Sequence, residues 1–409
     1  MNKTKFYSLI ALFYFFIATL LGIALRLFPI VDINATYRYI VHTHSHVALL
    51  GWVYIAITTL IYHLLIEKTP QNIKKFNQLF WFTQTTIIGM LFSFPFKGYA
   101  LFSILFSTLF LITTYFFYAF FRKSTRQTNI NAPTFTFINI SLIFMVISSL
   151  GPWALGGIMN TLGSNSHWYK NAIYFYLHFQ YNGWFIFSLF GIFFIMLHHL
   201  KIVIPKKNVI TLFKLLFSSC ILTFFLSVLW MKPHATFYLL GGVGAILQFI
   251  ALVLLIKLLR RIQDQLKEKL TFFLYSILKF VLVLFSIKVI LQLLTATPFF
   301  AEIVLKTIDV VIGYLHLVFL GIVSLSLIAF LSYFKLLKVP RLWLRIYIIG
   351  FILSELLIFY KGLTILIPFY LIEHYYQYLI LVSFLMPIGL FGIFLTNLTK
   401  LFSIQKESH

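Results

Sequence analysis

The chain has 409 residues, of which 61% are hydrophobic and only 10% are charged. A soluble domain of this length needs far more charged side chains to cover its surface, so this composition argues against a soluble protein. The formal net charge is +23, but the basic residues lie in short clusters between apolar runs. That distribution is typical of membrane topology signals and argues against a nucleic-acid partner.

Twelve apolar runs are long enough to cross a bilayer, which needs about 20 apolar residues per helix. The predicted transmembrane helices are 7–28, 38–66, 76–96, 99–121, 134–160, 170–199, 209–231, 235–259, 271–294, 307–334, 344–366 and 375–400. These runs are apolar on every face, unlike the alternating strands of a membrane β-barrel. We therefore predict an all-α, polytopic membrane helical bundle that forms a single domain over residues 1–409.

Lysine and arginine are concentrated on one side of the predicted membrane. Most of the 32 basic residues lie near the two ends of the chain or in alternate connections between helices. The positive-inside rule then places both ends in the cytoplasm. The predicted location is the inner (cytoplasmic) membrane of a bacterium, with the lipid bilayer as the first partner.

The single cysteine, Cys220, limits the redox chemistry that the chain can support. One cysteine excludes an internal disulfide, a cysteine-ligated iron–sulfur cluster and a CxxCH site for covalent haem. Because Cys220 lies within an apolar run, we interpret it as an inert core thiol.

Three histidines open the second predicted helix, and ionisable side chains within a membrane are costly and often functional. His42 and His46 lie one turn apart on one face, whereas His44 points to roughly the opposite side, followed by Ala48 and Gly51. Small residues beside a histidine allow a flat macrocycle to approach the backbone. The pattern therefore favours a haem ligand over an interfacial polar cluster.

Histidines at a similar depth occur in the sixth and tenth predicted helices. His46, His178 and His316 lie about 8 or 9 residues from the outer ends of their helices, which is ~12–14 Å along the axis. Histidines scattered through a core need not coincide in depth. A shared ligand, most naturally a haem held between two histidines, would explain the coincidence.

This arrangement resembles subunit I of the heme-copper oxidases, a family with twelve helices and histidines in helices two, six and ten. The residues that carry the resemblance are His46 with the following Val-Ala-Leu-Leu-Gly-Trp, His316 and His178. The resemblance implies low-spin haem b bound by His46 (or His44) and His316, and it implies a copper ligand at His178. The pattern of His44, His46 and Gly51, and the spacing from His316 to Gly321, are also similar to those of the NnrS family of membrane haem and copper proteins.

Departures from the family pattern predict an altered second site. Tyr314 stands where the family has the histidine of the high-spin haem, and the region of helix seven offers only His234 in place of a histidine pair. The resemblance thus assigns His178, Tyr314 and Tyr181 to an incomplete catalytic centre. His234 is a further metal-ligand candidate, and whether copper binds is left open.

Charged residues supply further candidates. Basic residues at outer helix ends are candidate partners of haem propionates, although ordinary interfacial positions explain each of them equally well. They are Arg26, Arg38, Lys232 and Lys361. Within the membrane, Lys279, Lys288 and Glu355 are expected to form a buried pair or a proton path.

Three functions remain open from the sequence. The first is a haem-binding redox or gas-handling protein, an oxidoreductase if it acts on oxygen or nitric oxide, with an electron donor or oxidase-like subunits as partners. The second is a proton-coupled transporter that uses His178 and Glu355. Transporters often have broken helices in matching halves, but Gly151-Pro152 in helix five and the glycines that loosen helix eight do not match. The third is a cofactor-less scaffold subunit.

Overall fold

Twelve membrane-spanning helices dominate the computed structural model, which describes residues 3–125, 132–364 and 370–406. The helices are long and apolar enough to cross a membrane. They are α1 Lys3–Leu27, α2 Tyr37–Leu65, α3 Pro70–Lys97, α4 Leu101–Ser124, α5 Pro133–Thr161, α6 His167–His199, α7 Lys206–Met231, α8 Ala235–Lys269, α9 Phe272–Leu294, α10 Ile308–Tyr333, α11 Arg341–Leu363 and α12 Tyr375–Thr399. The predicted all-α, polytopic membrane protein is therefore confirmed.

Most helix ends agree with the sequence prediction within three residues, and the largest difference is at the end of α8. The sequence predicts an end near residue 259, but the helix continues to Lys269. Leu258, Ile262 and Leu266 recur at every fourth position of this charged segment, and all three are buried. The apolar stripe gives the helix a packed face beyond the apolar run. A short helix that the sequence did not predict, Pro298–Lys306, precedes α10.

The glycines of α8 do not loosen the helix, so that expectation is wrong. The α-helix is continuous from Ala235 to Lys269. A Cβ atom at Gly244 would lie 2.7 Å from the Cβ of Leu222 and from the backbone nitrogen of Thr223. Glycine therefore lets α7 pack closely against α8. At this same point α7 changes from an α-helix to a 3₁₀-helix, which runs from Thr223 to Met231.

The chain divides into two compact units. The first consists of residues 1–128 and 327–409, and the second of residues 129–326. In the first unit, the ring of Phe15 on α1 stacks on buried Trp52 of α2 at 4.8 Å. In the second unit, buried Phe137 of α5 contacts Phe194 of α6 at 5.4 Å and Phe213 of α7 at 5.1 Å. Aromatic packing of this kind stabilises each bundle.

Three spans change from α-helical to π-helical hydrogen bonding partway along their length. The π-helical segments are Val47–Tyr54 of α2, Phe179–Phe185 of α6 and Leu317–Val323 of α10. An apolar 18-residue stretch in each of these spans is also more buried than the corresponding stretch of the other nine, at 83%, 83% and 72%, against at most 56%. Segments of π-helix are rare and frequently mark functional sites. The three helices that carry the candidate histidines are thus distinguished by both burial and backbone geometry.

Candidate functional site

One local motif recurs in α2, α6 and α10. A histidine is followed directly by the π-helical segment, and a glycine stands five residues after the histidine. The histidines are His46, His178 and His316, and the glycines are Gly51, Gly183 and Gly321. The histidines lie nine, eleven and eight residues after the first residues of their spans. Each histidine thus lies at a similar depth within its own helix.

Neighbouring aromatic side chains fill the space beside two of these glycines. A Cβ atom at Gly51 would lie 2.8 Å from the Cβ of Tyr14 on α1. A Cβ atom at Gly183 would lie 2.7 Å from the ring of Phe144 on α5. The interpretation that Gly51 makes room for a macrocycle is therefore wrong, because Tyr14 occupies that space. These glycines allow close helix packing instead.

His46 in the first unit is oriented by its own helix. Its Nδ1 lies 2.8 Å from the carbonyl oxygen of His42. A carbonyl oxygen only accepts, so Nδ1 carries the hydrogen and Nε2 keeps its lone pair. The ring contacts buried Phe94 of α3 at 4.5 Å and Tyr99 at 6.1 Å. This arrangement, with one nitrogen anchored to a carbonyl, is the usual one for a metal-bound histidine.

His46 lies where α2 passes from a partly exposed to a buried stretch. The residue is partly exposed, whereas Val47 next to it and Phe94 in contact with it are buried. Thr43 is the buried residue of Tyr37–His46, and most residues of Val47–Tyr54 are buried. With Nδ1 on a carbonyl oxygen and Nε2 as the remaining donor atom, the imidazole of His46 fits an axial ligand of haem.

His44 faces a different neighbour. Its Nδ1 lies 2.9 Å from the carbonyl oxygen of Ala18 on α1. A Cβ atom at Gly22 would lie 3.3 Å from the ring of His44, so the imidazole packs against the α1 backbone. The two candidates that the sequence left open therefore lie in different surroundings, although Nδ1 of each contacts a backbone carbonyl oxygen. His46 contacts aromatic rings on one side of α2, and His44 is held by α1 on the other.

Arg26 pairs within the first unit. Its guanidinium donates a hydrogen bond to the hydroxyl of Ser383 on α12 and interacts electrostatically with Glu355 on α11. Glu355 is buried, with 6% of its surface exposed. Arg26 is thus a partner of the intramembrane carboxylate that the sequence singled out.

The other basic candidates occupy ordinary surface positions. Arg38 is exposed in the first turn of α2. Lys361 lies over the ring of Tyr376 at 5.4 Å, both in the first unit. In the second unit, Lys232 is exposed and follows the 3₁₀ segment with a positive φ of 51°. These positions are compatible with contacts to lipid headgroups or to propionates.

His178 in the second unit is enclosed by polar groups. It is 1% exposed. Its Nε2 lies 2.8 Å from the carbonyl oxygen of Cys220 on α7. Its Nδ1 lies 3.3 Å from the side-chain nitrogen of Asn182 and 3.3 Å from the hydroxyl of Ser227. Both ring nitrogens of His178 therefore already contact protein groups, in contrast to His46.

Lys288 on α9 is bound to the same asparagine. Its side chain is completely buried, with 0% exposed. The Nζ atom lies 2.7 Å from Oδ1 of Asn182 and 2.6 Å from Oε1 of Gln292. Both partners are neutral amides rather than carboxylates. We call the group of His178, Asn182, Ser227, Lys288 and Gln292 the polar cluster.

The two candidate tyrosines lie together in the second unit. The rings of Tyr181 and Tyr314 meet edge to face at 6.2 Å, and their side chains are hydrogen-bonded to each other. The ring of Tyr181 is also 6.2 Å from that of His178. The fold thus brings together the three residues that the sequence assigned to an altered second site.

His234 is not placed as a metal ligand would be. It is exposed at the N-terminus of α8, where its Nδ1 accepts a hydrogen bond from the backbone of Thr236 and lies 2.9 Å from the Thr236 hydroxyl. Within residues 3–125, 132–364 and 370–406, no group of three or more His, Cys, Asp or Glu side chains could hold a metal ion.

The partners of Lys288 were missed by the sequence analysis. Asn182 stands four residues after His178, and Gln292 stands four residues after Lys288. Polar residues at this spacing share a helix face, which is the signal that could have identified them.

No protein-family model matches the chain, and no curated protein is significantly similar to it.

Proposed function

We propose that this protein is a haem-binding membrane protein of redox or gas-handling function, in which His46 is an axial ligand of haem b. The observation that carries the proposal is the state of the His46 ring. Its Nδ1 is anchored to the carbonyl of His42 at 2.8 Å. Its Nε2 therefore keeps a lone pair, on a residue that is partly exposed. The resemblance to the heme-copper oxidases assigns the second axial position to His316.

The number of ligands favours haem over a bare metal ion. A transition-metal ion bound by protein alone needs three or more ligating side chains. The described part of the chain offers no such group. The porphyrin of a haem supplies four nitrogen ligands itself, so the protein has to contribute only one or two axial histidines. A single histidine such as His46 meets that requirement.

The chain's own residues define what the site would do. Bound haem would supply one-electron transfer or the binding of a small gas such as oxygen or nitric oxide. The His42 carbonyl fixes the ring of His46, and the hydrogen bond makes that imidazole a stronger donor. Phe94 and Tyr99 cover one side of the ring and exclude water. An electron donor or oxidase-like subunits are the partners expected for a redox role.

Visible spectroscopy tests the proposal. The protein would be purified in mild detergent after expression with added haem, and oxidised and reduced spectra would be recorded. We expect sharp reduced bands of a low-spin haem b in the wild type. His46→Ala and His316→Ala should abolish or strongly alter these bands, whereas the matched control His44→Ala should retain them because His44 packs on α1. A colourless wild-type protein would contradict the proposal.

A proton-coupled transporter is the second candidate. Two observations favour it, the completely buried Lys288 and the break in α5 at Ser149. His178 and Glu355, the residues that the sequence assigned to this role, belong to the second and the first unit respectively. A colourless protein that acidifies or alkalinises the lumen of proteoliposomes on addition of a solute would favour transport. A colourless protein without transport would favour the cofactor-less scaffold.

A further inference from the structure

The hydrogen bonds of Lys288 determine how its neighbours are oriented. The amine of Lys288 donates a hydrogen bond to Oδ1 of Asn182, at 2.7 Å, so Asn182 directs its oxygen to Lys288. Its amide nitrogen is then the atom that faces Nδ1 of His178, at 3.3 Å. Because an amide nitrogen donates, Nδ1 of His178 is an acceptor.

The other side of the His178 ring completes this assignment. Nε2 lies 2.8 Å from the carbonyl of Cys220, which can only accept, so Nε2 carries the hydrogen. His178 is therefore a neutral imidazole with one lone pair, on Nδ1. That lone pair faces two donors, the amide of Asn182 and the hydroxyl of Ser227, each at 3.3 Å.

The groups that contact His178 directly do not fit copper. Helix α7 faces the imidazole with a backbone carbonyl, the ring of Phe224 at 5.6 Å and the Ser227 hydroxyl, none of which is a good copper ligand. A thiol is a good ligand of copper(I), but that of Cys220, on the same helix, interacts electrostatically with Lys288. Copper at Nδ1 would also have to displace the donors of Asn182 and Ser227 from that atom.

Two amide oxygens hold the amine of Lys288. Its Nζ lies 2.7 Å from Oδ1 of Asn182 and 2.6 Å from Oε1 of Gln292. Asn182 is thus shared, with its oxygen on Lys288 and its nitrogen facing His178.

From these contacts we infer that the amine of Lys288 and its amide partners take the place of copper beside His178. Both nitrogens of His178 are held by protein groups, and the residue is a neutral hydrogen-bonding residue rather than a metal ligand. A haem–copper pair for the reduction of oxygen therefore does not form at His178. The inference rests on the second unit alone and is independent of whether His46 binds haem.

Copper loading is the first test. The purified full-length protein would be incubated with copper(I) under reducing conditions and separately with copper(II), passed over a chelating resin, and analysed for copper per chain. We expect wild type and His178→Ala to retain the same background amount. Stoichiometric copper in the wild type that is lost in His178→Ala would overturn the inference. Haem is measured separately on the same sample, so failure of the haem proposal does not affect the result.

The second test removes the lysine. Lys288→Met keeps the length of the side chain but leaves the amide oxygens of Asn182 and Gln292 without their donor. Lys279→Met is the matched control, since Lys279 lies exposed on the same helix. We expect Lys288→Met to lower the thermal unfolding midpoint clearly, or to prevent folding, while Lys279→Met leaves it unchanged. An unchanged midpoint in Lys288→Met would contradict the inference. Firm copper binding by Lys288→Met that the wild type lacks would support it.

Discussion

His46 in the first unit and His178 in the second begin the same motif but have opposite surroundings. Each histidine is followed by a π-helical segment and by a glycine five residues later. The His46 ring is anchored through Nδ1, and the residue is partly exposed. The His178 ring is 1% exposed, and protein groups contact both of its nitrogens. The motif sets where a histidine lies, and the neighbouring helices decide what it can bind.

The largest effect should come from breaking the polar cluster at its centre. Asn182→Leu keeps the branched arrangement of side-chain heavy atoms but removes an acceptor of Lys288 and a donor to His178. Leaving two buried polar groups with fewer partners costs about 1–3 kcal/mol each. We expect the free energy of unfolding to fall by about 3 kcal/mol, measured by denaturation in detergent.

Asn160→Leu is the control for this substitution. Asn160 lies in the same unit, on the exposed part of α5, and its side chain bonds only to the carbonyl of Gly156 in its own helix. Its replacement should change stability little. An equal loss for the two variants would mean that the polar cluster does not stabilise the second unit.

An intermediate effect should come from Gly51 and Gly183, which stand at the same position of the motif in the two units. Gly51→Ala and Gly183→Ala would each place a Cβ atom within 3 Å of a neighbour, Tyr14 and Phe144 respectively. Overpacking of a core typically costs about 1–3 kcal/mol. Both variants should therefore unfold at lower temperature. Gly156→Ala, which meets nothing within 4 Å, should be neutral or stabilising, and a comparable loss there would contradict this explanation.

The smallest effect should come from Ser227. Its hydroxyl is the second donor to Nδ1 of His178, at 3.3 Å, a long hydrogen bond. Since Asn182 remains as a donor, Ser227→Ala should reduce the free energy of unfolding by only about 0.5 kcal/mol. Chemical denaturation measures the change. A loss as large as that of Asn182→Leu would show that Ser227, rather than Asn182, is the main partner of the ring.

The spans were predictable from the sequence because the bilayer dictates their length. The error at the end of α8 arose because Ile262 and Leu266 lie in a charged segment, where a helix is stabilised by packing rather than by lipid. The sequence also connected His46 and His316 through their spacing to a glycine. The prediction did not use the same spacing from His178 to Gly183.

The site contacts depend on which helices are neighbours, and spacing along one helix does not contain that information. Lys288 and Asn182 are 106 residues apart, and they meet because α6 and α9 pack together. Tyr14 fills the space at Gly51 for the same reason, through the packing of α1 on α2. Spacing along the sequence could identify only those pairs of the polar cluster that lie on one helix, such as Lys288 with Gln292.

The most direct measurement compares the two histidines in one experiment. Reduced-minus-oxidised visible spectra of wild type, His46→Ala and His178→Ala would be recorded at equal protein concentration, with folding of each variant checked by size-exclusion chromatography. If His46 binds iron and His178 does not, the haem bands disappear or shift in His46→Ala and persist in His178→Ala. Bands that persist in His46→Ala and disappear in His178→Ala would contradict the assignment of both sites.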